Sequence, residues 1–186
     1  TRVELVADSQ GRAAMYRHRS HELVPVTSLP LAVPSIEASG VLTRRWRPGE
    51  RLQIVAPGGG EAVILRDGEP ETKRRTVTER VTANVPNGAG GHSERTWTYR
   101  LAAQGFWQVH IAAPSLLVER VLEAAALSEG ERVLELYSGA GLFTLPLADA
   151  VGPGGAVTAV EGDGDAVRFA RRNCHERGWV QLIGAE

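Results

Sequence analysis

The sequence predicts an α/β protein: a parallel sheet wound with helices over residues 105–186, preceded over residues 1–104 by a smaller, mainly β (α+β) domain. Three observations predict it. Residues 132–137, 156–160 and 180–183 are short, largely apolar runs of the kind that form strands buried on both faces of a parallel sheet. Stretches with helical spacing of apolar residues separate them. A glycine turn, Ser138-Gly-Ala-Gly141, lies between the first run and the helix after it, a geometry that places backbone N–H groups at the carboxyl edge of a sheet.

The first domain reads as strands and turns. Val3, Leu5 and Val6 suggest a strand over residues 1–8, with Asp8-Ser-Gln-Gly11 as its turn and a return strand from Ala13 to Tyr16. The cluster Arg17-His-Arg-Ser-His21 suits either phosphate contacts or a solvated edge, and its two histidines lack the companion ligands of a metal site. Residues 24–34 are proline-spaced and extended, and residues 35–42 form a short helix. Strands at 51–55 and 61–65 flank Ala-Pro-Gly-Gly-Gly60 as a hairpin. Arg44, Arg45 and Arg47 around Trp46 fit a base-stacking, phosphate-neutralising patch or an edge strand with one packed Trp. Lys73-Arg74-Arg75 is a basic loop, residues 87–93 a glycine-rich loop or hairpin tip, and residues 96–101 a strand.

In the second domain, Leu116, Leu117, Val121, Leu122 and Ala125 recur at helical spacing, and Ser128-Glu-Gly130 closes that helix. The strand at 132–137 and the glycine turn follow. Glu161 ends the next strand, 22 residues after Gly139, where an acidic side chain can accept both hydroxyls of a ribose. Dinucleotides and S-adenosylmethionine (SAM) both use this layout. The turn continues Gly-Ala-Gly-Leu-Phe-Thr, without the third glycine of the dinucleotide fingerprint, and Glu135 followed by Tyr137 suits SAM better. Gly162-Asp163 caps a helix carrying Ala166, Val167, Phe169, Ala170 and Cys174, and Gly178 ends it.

Residues 133–148 (Val-Leu-Glu-Leu-Tyr-Ser-Gly-Ala-Gly-Leu-Phe-Thr-Leu-Pro-Leu-Ala), preceded by residues 105–110 (Gly-Phe-Trp-Gln-Val-His), closely resemble the RNA uracil-5 methyltransferases, the class I SAM-dependent enzymes that form 5-methyluridine in tRNA or rRNA. The family's strings are of the form D-L-Y-C-G-A-G-L-F and F-x-Q-x-N, so Glu135, Ser138 and His110 are departures. The resemblance implies a partial Rossmann-like class I methyltransferase sheet, with RNA contacts made by the domain at 1–104. It implies SAM binding by Gln108, Tyr137, Ser138, Gly139, Gly141 and Glu161. Many members hold an iron–sulfur cluster through a cysteine at the place of Leu29. No cysteine precedes Cys174 here, so no cluster is expected.

The family's chemistry adds a cysteine thiolate to carbon 6 of uracil, so that carbon 5 attacks the SAM methyl group. Cys174 is expected in a helix core, about 15 Å along the helix from the sheet edge at 1.5 Å per residue. The family's nucleophile and general base lie beyond residue 186, so the chain is expected to hold no catalytic residue and to lack the C-terminal part of its methyltransferase domain. A SAM methyltransferase of another substrate and a non-catalytic SAM- or RNA-binding module are the alternatives.

Composition agrees with these limits. The chain has 186 residues, 42% hydrophobic and 23% charged, and no apolar run near the roughly 20 residues of a membrane span. One cysteine excludes an internal disulfide framework and suits a reducing cytoplasm. Residues 1–104 carry 15 Lys+Arg against 11 Asp+Glu, whereas residues 105–186 carry 6 against 11. The mild positive balance falls on the domain expected to meet RNA.

Overall fold

A computed structural model describes residues 1–58, 60–87 and 90–185. Parts of the glycine turn at 56–60 and of the loop at 87–93, and the final residue, lie outside the described residues. The chain divides into two compact units, Thr1–Val77 and Thr78–Glu186.

The first unit is an antiparallel sheet in the order β3-β2-β1-β4-β5-β6, with β1 (Arg2–Ala7), β2 (Ala13–Tyr16), β3 (Leu23–Pro25), β4 (Arg51–Val55), β5 (Val63–Arg66) and β6 (Glu69–Pro70). Its register sets Leu5 opposite Leu52 and Ile54 opposite Ile64. The short helix α1 (Pro34–Ala38) starts on a proline and buries Ile36. Ile36 joins Leu5, Leu29, Val41, Trp46, Leu52 and Ile54 in one core. Leu29, at the place of the family's cluster cysteine, is part of that apolar cluster.

Trp46 is no stacking platform. Its ring is buried, and its indole N–H donates to the Val41 carbonyl at 2.9 Å. Arg44 lies 4.1 Å from the ring centroid and forms a two-pronged pair with Glu71. The arginines around Trp46 thus spend much of their charge inside the unit: Arg47 pairs with Asp67, and Arg66 with the buried Glu50.

The second unit contains β7 (Thr76–Pro86), β8 (His92–Ala102), α2 (Ala113–Ala125), β9 (Arg132–Leu136), α3 (Thr144–Val151), β10 (Ala156–Glu161), α4 (Gly164–Asn173) and β11 (Val180–Gly184). Strand β7, which starts two residues before the boundary, is absent from the sequence reading. Its signal is legible all the same: Val77, Val81, Ala83 and Val85 alternate with exposed polar residues. β7 and β8 form a two-stranded sheet, and β9, β10 and β11 form a parallel sheet in the order β11-β10-β9. Leu134 stands opposite Thr158, and Leu136 opposite Val160.

The boundary at 77/78 differs from the expected 104/105, because the β7–β8 pair packs into the α/β unit. Tyr99 is fully buried and donates its hydroxyl to the Leu142 carbonyl at 2.9 Å. The Trp97 indole N–H donates to Asp149 Oδ2 at 2.8 Å, and Arg177 Nε donates to Asp149 Oδ1 at 2.7 Å. Trp107 is buried with its ring 5.2 Å from that of Tyr99, whereas Phe106 beside it is 79% exposed.

Among the described residues the parallel sheet is covered on one face only. Val157 and Ala159 are buried with Val167, Phe169 and Ala170 of α4 and Val151 of α3. On the other face Leu134 is 66% and Leu136 59% exposed, and Ile183 is exposed beside them.

Asp149 is the polar centre of the second unit. Asp149→Ala strands a partly buried guanidinium and the Trp97 indole N–H and should cost about 2–3 kcal/mol. Asp149→Asn retains an acceptor and should cost less. Urea denaturation measures both, and equal midpoints for wild type and Asp149→Ala contradict the assignment.

Candidate functional site

The glycine turn and the end of β10 meet at the carboxyl edge of the parallel sheet. β9 ends at Leu136, and Tyr137 takes a left-handed backbone with φ 59°, costly for a residue with a Cβ. Its side chain is 91% exposed, not packed in a pocket wall. Gly139 and Gly141 also have positive φ, 57° and 94°. A Cβ on Gly139 would meet nothing within 4 Å, so the main chain there is open to close approach by a ligand. Ser138 N–H donates to the Val160 carbonyl at 3.1 Å and Gly141 N–H to the Ser138 carbonyl at 3.0 Å, which fixes the loop between β9 and α3 against the end of β10.

Glu161 joins the two loops. Its Oε2 accepts from Gly139 N–H and its Oε1 from Asp163 N–H, each at 2.8 Å. A carboxylate offers about four lone-pair directions, so each oxygen can still accept from a hydroxyl. Asp163 is the N-cap of α4, accepting from Ala166 N–H at 2.8 Å. The structure therefore brings Tyr137, Ser138, Gly139, Gly141 and Glu161 together. Gln108 is half-buried in the segment between β8 and α2, beside Trp107. His110 accepts from Ala112 N–H at 3.2 Å, a local contact at the start of α2. A cavity of about 750 Å3 lies elsewhere in the unit, lined by Trp97, Leu122, Glu129 and Pro146, and shares none of these residues.

Under the loop is a buried polar layer of which sequence reasoning singled out Glu135 and Ser138 but missed Thr144 and Asn173. Thr144 donates its hydroxyl to Glu135 Oε2 at 2.6 Å. Glu135 Oε1 and Ser138 Oγ are buried without a hydrogen-bond partner among the described residues. Burial raises the Glu135 carboxyl to about 7, against a weaker lowering by the Thr144 hydroxyl. Asn173 Nδ2 donates to the Ala140 carbonyl at 2.9 Å. A carboxylate at Glu135 within an otherwise apolar strand was the available signal. Nothing local marks Asn173, whose partners lie 33 and 73 residues away.

Cys174 is buried, as expected, but not remote. Its sulfur lies 3.7 Å from where a Cβ on Gly141 would stand. Counting along α4 measures distance from β10, whereas the turn after β9 folds back over the end of that helix. Burial pushes the thiol up to about 12, so it is held as the neutral thiol at neutral pH and not as a nucleophilic thiolate.

The raised carboxyl makes stability depend on pH. Between about 4.5 and 7 the folded chain keeps a proton on Glu135 that the unfolded chain has released. Stability should fall as pH rises through that window, by roughly 3 kcal/mol once above it. Glu135→Gln should flatten the slope. Urea midpoints at pH 5 and pH 8 give the comparison, and a wild-type slope no steeper than the variant's places the carboxyl in water.

The chain is similar to known methyltransferases. Residues 91–184 match the family model described as protein-L-isoaspartate(D-aspartate) O-methyltransferase (PCMT). An uncharacterized RNA methyltransferase of Streptomyces avermitilis is 33% identical over 93% of this chain and 43% of its own length. The 23S rRNA (uracil(1939)-C(5))-methyltransferase RlmD of Methylococcus capsulatus is 41% identical over 87% of this chain and 42% of its own length. The crystal structure of Pyrococcus abyssi tRNA (uracil-54, C5)-methyltransferase in complex with S-adenosyl-L-homocysteine aligns with 100% of this chain and 55% of its own, with a TM-score of 0.59 and 18% identity, a likeness of fold. The chain spans about two-fifths of the length of the curated relatives it matches. Residues 91–184, just over half of the chain, place it in the methyltransferase family that the PCMT model describes, and over most of its length the chain is similar to RNA methyltransferases, RlmD among them.

Proposed function

We propose that the chain supplies the SAM-binding half-sheet and part of the RNA platform of an enzyme that forms 5-methyluridine in tRNA or rRNA. The observation that carries this is the Glu161 bridge beside the open main chain of Gly139. The residues fit the cofactor. The Glu161 oxygens keep acceptor capacity for the ribose hydroxyls, and Gly139 and Gly141 admit close approach. Tyr137, Ser138 and Gln108 are the further proposed contacts. Glu135 Oε1 and Ser138 Oγ, buried without a partner among the described residues, suit the polar end of such a ligand. When bound, SAM supplies an electrophilic methyl group on a sulfonium.

No residue of this chain is proposed to attack uracil. Cys174 is a buried neutral thiol, and the nucleophile and base are assigned to the part of the relatives that this chain does not span. The bare face carrying Leu134 and Leu136 and the free edge of β9 are the surfaces on which the rest of a methyltransferase domain would pack, because parallel sheets are normally covered on both faces. We place the reaction in the cytoplasm and without an iron–sulfur cluster. No helix among the described residues is long and apolar enough to cross a membrane.

The PCMT match favours a second reading, methylation of a protein carboxylate. It leaves residues 1–90 without a role, whereas RNA methyltransferase relatives align with 93% of the chain.

Calorimetric titration of SAM tests the cofactor site. Glu161→Ala removes the ribose acceptor and releases Gly139, and should weaken binding about 30-fold or more. Asp163→Ala should cost mainly about 1 kcal/mol of helix stability. If Glu161→Ala binds within twofold of wild type, the ribose contact belongs to another group. RNA affinity of the first unit should be weak, since six of its arginines are ion-paired with its own carboxylates. About three phosphates neutralised gives a log–log salt slope near −2 on single-stranded RNA. A slope near zero argues against an RNA platform.

A further inference from the structure

The glycine turn is held from beneath by one side-chain amide. Asn173, the last residue of α4, donates from Nδ2 to the Ala140 carbonyl at 2.9 Å and to the Arg100 carbonyl at 3.0 Å. Its Oδ1 accepts from Arg100 N–H at 2.9 Å. Arg100 offers one donor and one acceptor to the same amide, so the orientation of the group is fixed: reversing it would set like against like at both atoms. Both N–H groups of the amide are thereby used. One residue earlier on β8, Tyr99 donates to the Leu142 carbonyl. β8 therefore reaches the turn at two carbonyls, that of Leu142 directly and that of Ala140 through Asn173.

We propose that Asn173 is a positioning residue for the cofactor loop. A peptide unit is planar, so holding the Ala140 carbonyl sets the tilt of the whole plane between Ala140 and Gly141. That plane lies next to Gly139, whose N–H is held by Glu161 from the other side. Glycines at 139 and 141 have positive φ and the widest choice of backbone states in the turn. Asn173 selects one of these states before any ligand arrives, and a preformed loop binds more tightly than one that must be ordered. It acts through the main chain of Ala140, not by touching the ligand. This rests on the SAM reading above.

Two variants separate loop positioning from a mere tie between α4 and β8. Asn173→Ala removes every contact. Asn173→Asp keeps an acceptor for Arg100 N–H but turns a carboxylate oxygen toward two carbonyls. In the ligand-free protein, amide exchange read by mass spectrometry should rise at least tenfold at 139–142 in both variants, with Val157 and Ala159 of β10 unchanged. SAM affinity should fall about tenfold in both, the loss expected when a buried acceptor is left bare. Affinity within twofold of wild type overturns the proposal. So does exchange that rises equally across α4 and β10, because Asn173 is then only a structural tie. Should Asn173→Ala fail to fold, Asn173→Asp carries the same readouts. The exchange measurement needs no ligand: a wild-type chain that binds no SAM refutes the cofactor reading, and the loop exchange still decides the role of Asn173.

Discussion

The second unit depends on a single carboxylate held between two loops. Glu161 accepts Gly139 N–H on one oxygen and Asp163 N–H on the other. Without it, the first strand–helix turn and the start of α4 would each present an N–H with no internal partner. Charge-assisted hydrogen bonds of this kind are among the stronger ones available to a surface loop. The same oxygens lie at the edge where a ribose is proposed to bind, so the carboxylate that holds the loop is also the proposed ligand contact. A smaller polar residue could not span both loops.

Around this bridge the unit balances apolar packing with a few costly buried polar groups. Glu135 and Thr144 sit beneath the turn, and Tyr99 and Asn173 join it to β8. The first unit follows different rules. Its antiparallel sheet packs Trp46 and Ile36 against β1 and β4, while its arginines are largely neutralised within the unit. The positive balance counted along the sequence therefore overstates the charge available to RNA.

Much of the fold was legible because its signals are local. The three apolar runs, the glycine turn and Glu161 each announce a parallel strand or its tip, and all three strands form in the expected order. Asp163 was legible as a cap for the same reason. The domain boundary was not, because nothing in β7 and β8 says that their buried face, including Trp97 and Tyr99, packs against α3 and α4. The nearness of Cys174 to Gly141 was hidden likewise, since rise along a helix says nothing about where a neighbouring loop folds back. Trp46 read as a stacking surface or, in preference, as the packed Trp of an edge strand, and burial decides for packing. The cofactor contacts themselves are inferred from the turn and the acidic tip.

The sequence separations within the turn's supports carry a consequence for the order in which the molecule forms. Tyr99 meets Leu142 across 43 residues, Trp97 meets Asp149 across 52, and Arg100 meets Asn173 across 73. β9 pairs with β10 and β10 with β11, each the next strand in the chain, so the parallel sheet closes only short loops. The supports of the turn close long ones and are late events by that measure. During synthesis the glycine turn leaves the ribosome some thirty residues before Asn173 does, and its lower anchor does not yet exist. The anchored form of the turn is thus a late product of folding, because it waits for Asn173 at the end of α4 to reach β8.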